Sequence, residues 1–240
     1  LDHQNERFHV DAQARRQLKD VTLTKLEARR PDANGYLRAK GRYTSGDTPA
    51  SLALQLDWHD WHWPGLAAIP IASDGNARIE GTLADYRLQA QASFAGKALP
   101  ENQLKLALRG DAKAVRIETL KLHTLAGVVS VQGALDRDPW RWNLRVHGDN
   151  LNPGTHGPEW TGQLAFDARV RGTISRARVR NELVLTRLGG TLRNQNVAGS
   201  ARWITTGARH EIADAVLRVG GAELKANGDI AREWNLALQA

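Results

Sequence analysis

The stretch QLAFDARVRG, residues 163–172, alternates between two registers of side chains. One register comprises Leu164, Phe166, Ala168 and Val170, and the other comprises Ala165, Asp167, Arg169 and Arg171. A period of two residues is typical of a β-strand with one buried and one solvated face, because successive side chains point to opposite sides. This stretch therefore predicts a half-buried strand.

The same alternation recurs along most of the chain, most clearly at residues 52–58, 86–94, 104–108, 142–146 and 224–238. The links between these segments are short and rich in turn-forming residues, which favours antiparallel connections. They are RRPDANG (29–35), TSGDTPA (44–50), ASDGNA (72–77), AGKALPEN (95–102) and GDNLNPGTHGPEW (148–160). We therefore expect an all-β fold with one long, mostly antiparallel sheet.

Glycines recur in a common setting, with apolar or small residues at positions −4, −2 and +2. Glycine lets a strand bend or lets another backbone come close. If all of them lie at one depth, the sheet would crease along a line and curl lengthwise into an open groove. We expect one continuous β-groove segment over residues 1–240. The repeat glycines are Gly41, Gly81, Gly110, Gly133, Gly172, Gly228 and, as a partial match, Gly199.

No helix is predicted that could cover the apolar side of this sheet. Such a side must close on itself, pack on a second sheet, or stay open for an apolar ligand. We predict an apolar concave face lined by Leu52, Leu54, Leu56, Trp58, Ile79, Leu83, Leu88, Phe94, Leu104, Leu106, Leu108, Val129, Val131, Trp142, Leu144, Val146, Leu164, Phe166, Val170, Leu224, Ile230, Trp234 and Leu236.

The densest stretch is DWHDWHWPGL, residues 57–66. On a regular strand Asp57 and His59 share one face while Asp60 and His62 share the other, so only a turn could bring all four to one metal ion. We predict no metal site. Trp61 and Trp63 have the opposite parity to Trp58, and they can face the same way only if the strand has a bulge or the chain leaves the sheet. We expect them to be aromatic residues at the rim of the groove.

The amino-acid composition and net charge limit the classes of function that the chain could have. The chain has 240 residues, no cysteine and a net charge of +7. The absence of cysteine excludes disulfides and thiol catalysis. The positive charge would attract phosphate in nucleic acid or lipid headgroups. It is also typical of a solvated, arginine-rich surface, which we favour because the basic residues are spread along the whole chain.

Several stretches resemble TamB-like proteins, the inner-membrane component of the translocation and assembly module. WRWNLRVHGDNLNPGTHGPEWTGQLAFDARVRG (140–172) is similar to their C-terminal half, and LNPG…W-x-G-x-L (151–164) is its most specific part. VVSVQGALDRDPWRWNL (128–144) and LKANGDIAREWNL (224–236) look like one module used twice. The likeness covers the chain from about residue 36 onward.

The resemblance implies a fragment of the periplasmic region of a protein anchored in the inner membrane of a Gram-negative bacterium. It implies the AsmA-like family of bridge-like lipid transfer proteins with repeating β-grooves (the β-taco fold). The implied partners are phospholipid acyl chains, neighbouring modules of the same chain and an outer-membrane barrel of the Omp85 type. The implied role is phospholipid transport in outer-membrane biogenesis. The alternative is a chaperone or assembly module that binds strands of outer-membrane proteins.

Other functional classes fit less well. HEIAD (210–214) has Asp214 where the metalloprotease pattern requires histidine, and Asp136 and Asp138 flank a predicted turn. We therefore predict no enzyme activity, no catalytic residue and no cofactor. Nucleic-acid binding would need basic residues interleaved with exposed aromatic residues, so we expect none. A transmembrane β-barrel should have aromatic girdles, and three tyrosines and three phenylalanines are few.

Overall fold

Nearly all of the chain is β-strand, as the alternation predicts. The computed structural model describes residues 2–3, 6–29, 34–45, 49–62, 72–96, 99–175, 178–230 and 234–239. These ranges contain no α-helix; besides strands they hold only two short 3-10 helices, Pro153–Thr155 and Pro158–Trp160. The chain divides into a first unit of residues 1–112 and a second unit of residues 113–240.

The first unit is an antiparallel sheet whose strands are paired in the order of the chain. Two short strands, β1 (Asp2–His3) and β2 (Glu6–Arg7), pair only with each other among the described residues. The main sheet comprises β3 (His9–Gln17), β4 (Asp20–Arg29), β5 (Tyr36–Thr44), β6 (Ser51–His62), β7 (Ala72–Thr82), β8 (Asp85–Gly96) and β9 (Leu99–Gly110).

The second unit repeats this arrangement. Each of its strands is antiparallel to the next one in the chain. The strands are β10 (Ala114–Thr124), β11 (Gly127–Arg137), β12 (Trp140–Leu151), β13 (Gly162–Ser175), β14 (Arg178–Leu192), β15 (Gln195–Thr206), β16 (Arg209–Val219), β17 (Ala222–Ile230) and β18 (Trp234–Gln239).

The sheet is open and curled. Within each unit the first and last strands do not pair with each other, so no barrel closes. In the first unit, Phe8, which immediately precedes β3, contacts Trp61 of β6, with ring centroids 5.6 Å apart. Three strand spacings would place these strands about 14 Å apart in a flat sheet. The predicted fold class, an all-β antiparallel sheet curled into an open groove, is confirmed.

At six places in the described strands, a β-bulge keeps apolar or small residues that are three positions apart on one face. Six strand pairings shift register between such residues, and each shift restores the face that a regular strand would have reversed. The residues are Leu23 and Leu26, Trp58 and Trp61, Ile117 and Leu120, Gly148 and Leu151, Leu185 and Leu188, and Ile212 and Ala215. The bulge predicted between Trp58 and Trp61 is thus confirmed.

One predicted link is wrong. Residues 72–77, ASDGNA, lie inside β7 rather than between strands. Two of these residues form hydrogen bonds with the backbone of the bulge in β6. The fully buried Ser73 hydroxyl donates a 3.0 Å hydrogen bond to the Trp61 carbonyl. An Asp74 carboxylate oxygen accepts a 3.1 Å hydrogen bond from the Asp60 N–H. Asp60 has a φ of 45°.

The repeat glycines occupy neighbouring rows of the sheet, so the prediction that all of them lie at a single depth is wrong. Gly81 and Gly110 share one row, and Gly133 and Gly228 share another. In the first unit, Gly41 lies opposite Leu54, whereas Gly81 lies opposite Leu52 and therefore one row away. In the second unit, Gly133 and Gly172 lie opposite different residues of β12. The single continuous segment over residues 1–240 stays a prediction.

Three glycines have a different use, because each lies beneath an aromatic ring of the neighbouring strand. Gly75 lies opposite Trp58, Gly172 opposite Trp142, and Gly148 opposite Phe166. In each case a Cβ added to the glycine would overlap the ring. The missing side chains allow the rings to lie flat against the sheet, as aromatic residues do over glycines elsewhere.

The connection between β12 and β13 is held by one side chain. The Asn152 Oδ1 atom accepts hydrogen bonds from the Gly154 N–H at 3.0 Å and the Gly162 N–H at 3.1 Å. One amide therefore joins the two ends of the loop. The Arg193 guanidinium lies over the Trp160 ring, 5.5 Å from its centroid. The motif LNPG…W-x-G-x-L thus has a structural role in closing this loop.

We predict that Gly172→Ala lowers the free energy of unfolding by about 1–3 kcal/mol, because the new methyl group must displace the Trp142 ring. Urea denaturation followed by circular dichroism measures the change. The matched control is Gly189→Ala on β14, where an added Cβ has no atom within 4 Å. An equal loss of stability in both variants would show that the ring does not depend on the glycine.

Candidate functional site: an apolar face in each unit

The register of the first unit gathers its apolar residues into rows that cross the sheet. Residues directly opposite each other on successive strands point to the same face. One such row runs from β4 to β9 as Leu26, Ala39, Leu56, Ala77, Ala90 and Leu106. A parallel row comprises Ala28, Leu37, Trp58, Gly75, Ala92 and Leu104. We call the side that carries these rows the apolar face.

The second unit has an apolar face of the same kind. One row comprises Leu120, Val131, Val146, Ala168, Leu185, Ala201, Ala215 and Ala226. The next comprises Ile117, Gly133, Leu144, Val170, Leu183, Trp203, Ile212 and Gly228. Each row contains no charged residue, so the face offers an uninterrupted aliphatic strip across the unit.

The backbone register places nearly all the predicted lining residues on these faces. Leu83 is an exception: it lies in the turn after Thr82 and is 81% exposed, so its assignment to the lining is wrong. The chain has already left the sheet there. Trp63 lies outside the described residues. Ile230, Trp234 and Leu236 have described strand positions, and their side chains lie outside the described part.

An aromatic cluster lies on the apolar face of the first unit. Trp58 and Trp61 are 9% and 5% exposed, and Ala92 is buried beside them. Phe8, Leu37, Phe94 and other partly buried residues pack around this centre. The two tryptophans reach one face because of the bulge between them. That Trp61 forms the rim of a groove stays a prediction.

Two polar residues of DWHDWHWPGL, His59 and Asp60, form contacts across the strand pair at the bulge. The His59 Nδ1 atom contacts the carboxylate of Asp74, which also accepts the Asp60 N–H. His59 is therefore engaged across the strand pair, on the side away from the tryptophans. Among the described residues no group of three or more histidines and carboxylates could hold a metal ion.

Much of the apolar face remains in contact with solvent. Only a few of its side chains are buried, and they are small or belong to the aromatic cluster or the edge near the β12–β13 loop. Isolated exposed hydrophobic residues are normal, whereas contiguous ones indicate a binding surface. The large apolar residues of these faces that are more than a third exposed include Val21, Tyr43, Leu52, Leu183, Trp203, Leu217 and Leu224.

The family of the chain follows from comparison with known proteins. Residues 3–240 match the family described as TamB, N-terminal domain. The chain belongs to the TamB family. The expected resemblance to the C-terminal half of such proteins is wrong in its position, because the match is to the N-terminal domain. No solved structure matches the chain.

TamB proteins are bridge-like transport or assembly components rather than known enzymes. They are anchored in the inner membrane, have a periplasmic region and assemble with an outer-membrane partner and other modules. In the part of this TamB chain that the structure describes, no helix is long and apolar enough to cross a membrane. The open sheet with an apolar face is the feature that such a component could use.

The reverse side of each TamB unit is polar and carries cross-strand ion pairs. Arg109 of β9 donates two hydrogen bonds of 2.7 and 2.6 Å to the Asp85 carboxylate, and Arg209 of β16 is paired with Asp229 of β17 at 2.9 Å. Exposed pairs contribute little to stability. Their main effect is to keep this side solvated and to disfavour slipped registers, in which like charges would meet.

Four basic residues of this polar side were not identified from the sequence. Arg116, Arg145, Arg169 and Arg171 lie around one depression in the second unit. The signal was present, because Arg145, Arg169 and Arg171 occupy the polar register of their strands. Their proximity depends on how β12 pairs with β13, which the sequence alone does not give.

One carboxylate of the polar side is enclosed by basic groups. Glu27 of β4 is 8% exposed and contacts Arg29, Lys25 at 3.4 Å and Arg38 at 3.4 Å. The hydrogen bond from Arg29 holds the pKa of Glu27 below its ordinary value of 4.5, and the bond from Lys25 lowers it further. Lys25 also binds Asp11 of the edge strand β3 at 2.6 Å.

We predict that Glu27→Gln weakens the dependence of stability on acid pH. A carboxylate whose pKa is lower in the folded state stabilises the fold above its unfolded pKa, and this contribution is lost as pH falls through the folded value. The wild-type thermal midpoint should therefore fall more steeply below about pH 4.5 than that of the variant. The control, Glu118→Gln, removes an exposed carboxylate that has no ion pair among the described residues. Identical pH profiles for wild type and Glu27→Gln would refute this role.

Proposed function

We propose that this TamB segment shelters phospholipid acyl chains on its apolar faces as lipid crosses the periplasm between the inner and outer membranes. The observation that carries the proposal is the aliphatic rows that cross each unit without a covering layer among the described residues. Moving one methylene group into water costs about 0.8 kcal/mol, so a ~16-carbon chain costs roughly 12 kcal/mol. Lipid therefore needs an apolar surface along its route.

The chemistry of the face suits a moving ligand. Its rows consist of leucine, valine, isoleucine, alanine, glycine and a few aromatic residues, with no charged group to fix one headgroup or one chain. The aromatic rings above Gly75, Gly148 and Gly172 lie along the sheet instead of standing up from it. A face on which these large rings lie flat has fewer barriers to sliding, which favours transport over tight binding of one ligand.

A second role, binding strands of outer-membrane proteins, has one specific observation in its favour. β3 is the edge strand of the main sheet in the first unit, and Val10 on it is 43% exposed. An open edge can accept an extended peptide through backbone hydrogen bonds. The two roles differ in what touches the sheet, since lipid would contact the apolar face and a client strand would contact the edge.

We predict that a photoreactive amino acid at position 106 of the full-length protein crosslinks to phospholipid in living cells. Leu106 belongs to the apolar face, and the adjacent Lys105 is exposed on the polar face. The probe at position 105 is the matched control and should give no lipid adduct. Mass spectrometry of the purified protein identifies the adduct. Peptide adducts at position 106 without lipid would favour the strand-binding role and contradict lipid transport.

We predict that Leu106→Asp reduces phospholipid transfer by about tenfold or more, because a carboxylate on the apolar face opposes the passage of an acyl chain. Transfer of labelled phospholipid between donor and acceptor vesicles measures the rate. Ala107→Asp adds the same charge one residue away on the polar face and should leave transfer unchanged. Circular dichroism checks that both variants fold. Full transfer by folded Leu106→Asp protein would contradict the proposal.

A further inference from the structure

The polar side of the second unit contains a basic depression of about 610 Å³. Four arginines line it, together with the amide side chains of Gln132 and Asn143, and no carboxylate does. We call it the arginine depression. Its charged residues are Arg116 of β10, Arg145 of β12, and Arg169 and Arg171 of β13.

Strand pairing brings these arginines together. Arg145 lies directly opposite Arg169, and Arg171 lies opposite Asn143, two residues further along the same pair of strands. Arg116 reaches the same area from β10, where it lies opposite Ala134 of β11. Like charges directly opposite each other destabilise a sheet. The Arg145–Arg169 pair therefore has a cost that no ion pair among the described residues offsets.

These arginines differ from four others on the same side of the unit. Arg187, Arg202, Arg209 and Arg218 each bind a carboxylate at 2.9 Å or less. None of the four arginines of the depression forms an ion pair within the described part of the chain. The nearest carboxylate across the strands is Glu182, which lies opposite Arg171 and is paired with Arg202 instead. A cluster of arginines without an ion pair among the described residues has the character of a site for an external anion.

We propose that the arginine depression binds a phosphate group. A guanidinium presents several N–H donors in a planar fork that matches the oxygens of phosphate, and these charge-assisted hydrogen bonds are among the strongest in proteins. One carboxylate would neutralise only one of the four charges, whereas a phosphate or diphosphate carries more charge and more acceptor oxygens. The Gln132 and Asn143 side chains can donate further hydrogen bonds.

This site lies on the opposite side of the sheet from the proposed lipid path. Arg145 and Arg169 alternate with Leu144 and Val170, which belong to the apolar face. A phospholipid whose acyl chains lie on the apolar face cannot place its headgroup in the depression. The phosphate would come from a free phosphate compound or from a headgroup at a membrane surface. The inference therefore goes beyond the proposed function and does not depend on it.

Titration calorimetry with pyrophosphate tests the site. We expect wild-type protein to bind pyrophosphate and the double variant Arg145→Gln/Arg169→Gln to bind it about tenfold or more weakly. The control, Arg209→Gln/Arg218→Gln, removes the same charge from ion-paired positions of the same unit and should bind like wild type. Because the first pair removes a repulsion, its thermal midpoint should equal or exceed that of wild type. If it fails to fold, Arg171→Gln replaces it.

Vesicle flotation separates the two sources of phosphate. Vesicles of phosphatidylglycerol and phosphatidylcholine test an anionic headgroup, and vesicles of phosphatidylcholine alone are the control. Pyrophosphate binding that depends on Arg145 and Arg169 supports a free phosphate compound. Binding only to the phosphatidylglycerol vesicles with the same dependence supports a headgroup. Binding of neither probe, or an equal loss in the Arg209→Gln/Arg218→Gln control, overturns the proposal.

Discussion

The fold depends on one constraint, which is that the hydrogen-bonded register must keep most of the large apolar residues on the same face. A β-strand has a side-chain period of two, so a slip of one residue would send a whole strand's apolar residues to the wrong side. The chain spaces several apolar residues by three, as at Leu185 and Leu188, and a bulge corrects the face each time. The sheet then curls without a second layer to pack on. The register thus creates the apolar face, and the single layer leaves that face exposed to solvent.

The same constraint explains the distribution of the other residues. Glycines opposite Trp58, Trp142 and Phe166 make room for rings that would otherwise stand upright from the apolar face. Small and polar residues opposite the bulge in β6 form hydrogen bonds with its backbone groups, as Ser73 and Asp74 do. Most charged residues lie on the other side, where several arginines form ion pairs with carboxylates. The direct juxtaposition of Arg145 and Arg169, neither of which has an ion pair among the described residues, is therefore informative.

Most of the fold could be predicted from the sequence, because alternation such as Leu164, Phe166, Ala168 and Val170 depends only on the geometry of a strand. The same argument assigned the lining residues by parity, and the strand register puts most of them on one face; that they line a groove stays a prediction. Parity failed at Leu83, because the alternation continues in the sequence although the chain has already turned. Composition failed at ASDGNA, because its turn-forming residues lie in a strand and form hydrogen bonds with the bulge opposite. The sequence did not predict which residues are neighbours across the strands. The meeting of Arg145 with Arg169 and of Trp142 with Gly172 depends on pairing register, which no single strand encodes.

The chain contains no cysteine, so single cysteines can report directly on which residues lipid covers. The most direct measurement is the rate of reaction of cysteines at positions 142–147 of β12 with a water-soluble thiol reagent, with and without phospholipid. The account predicts that lipid protects the cysteines at positions 142, 144 and 146, which replace Trp142, Leu144 and Val146. It predicts no protection at the intervening positions. Equal protection on both sides of the strand, or none on either, would contradict an apolar face that carries acyl chains.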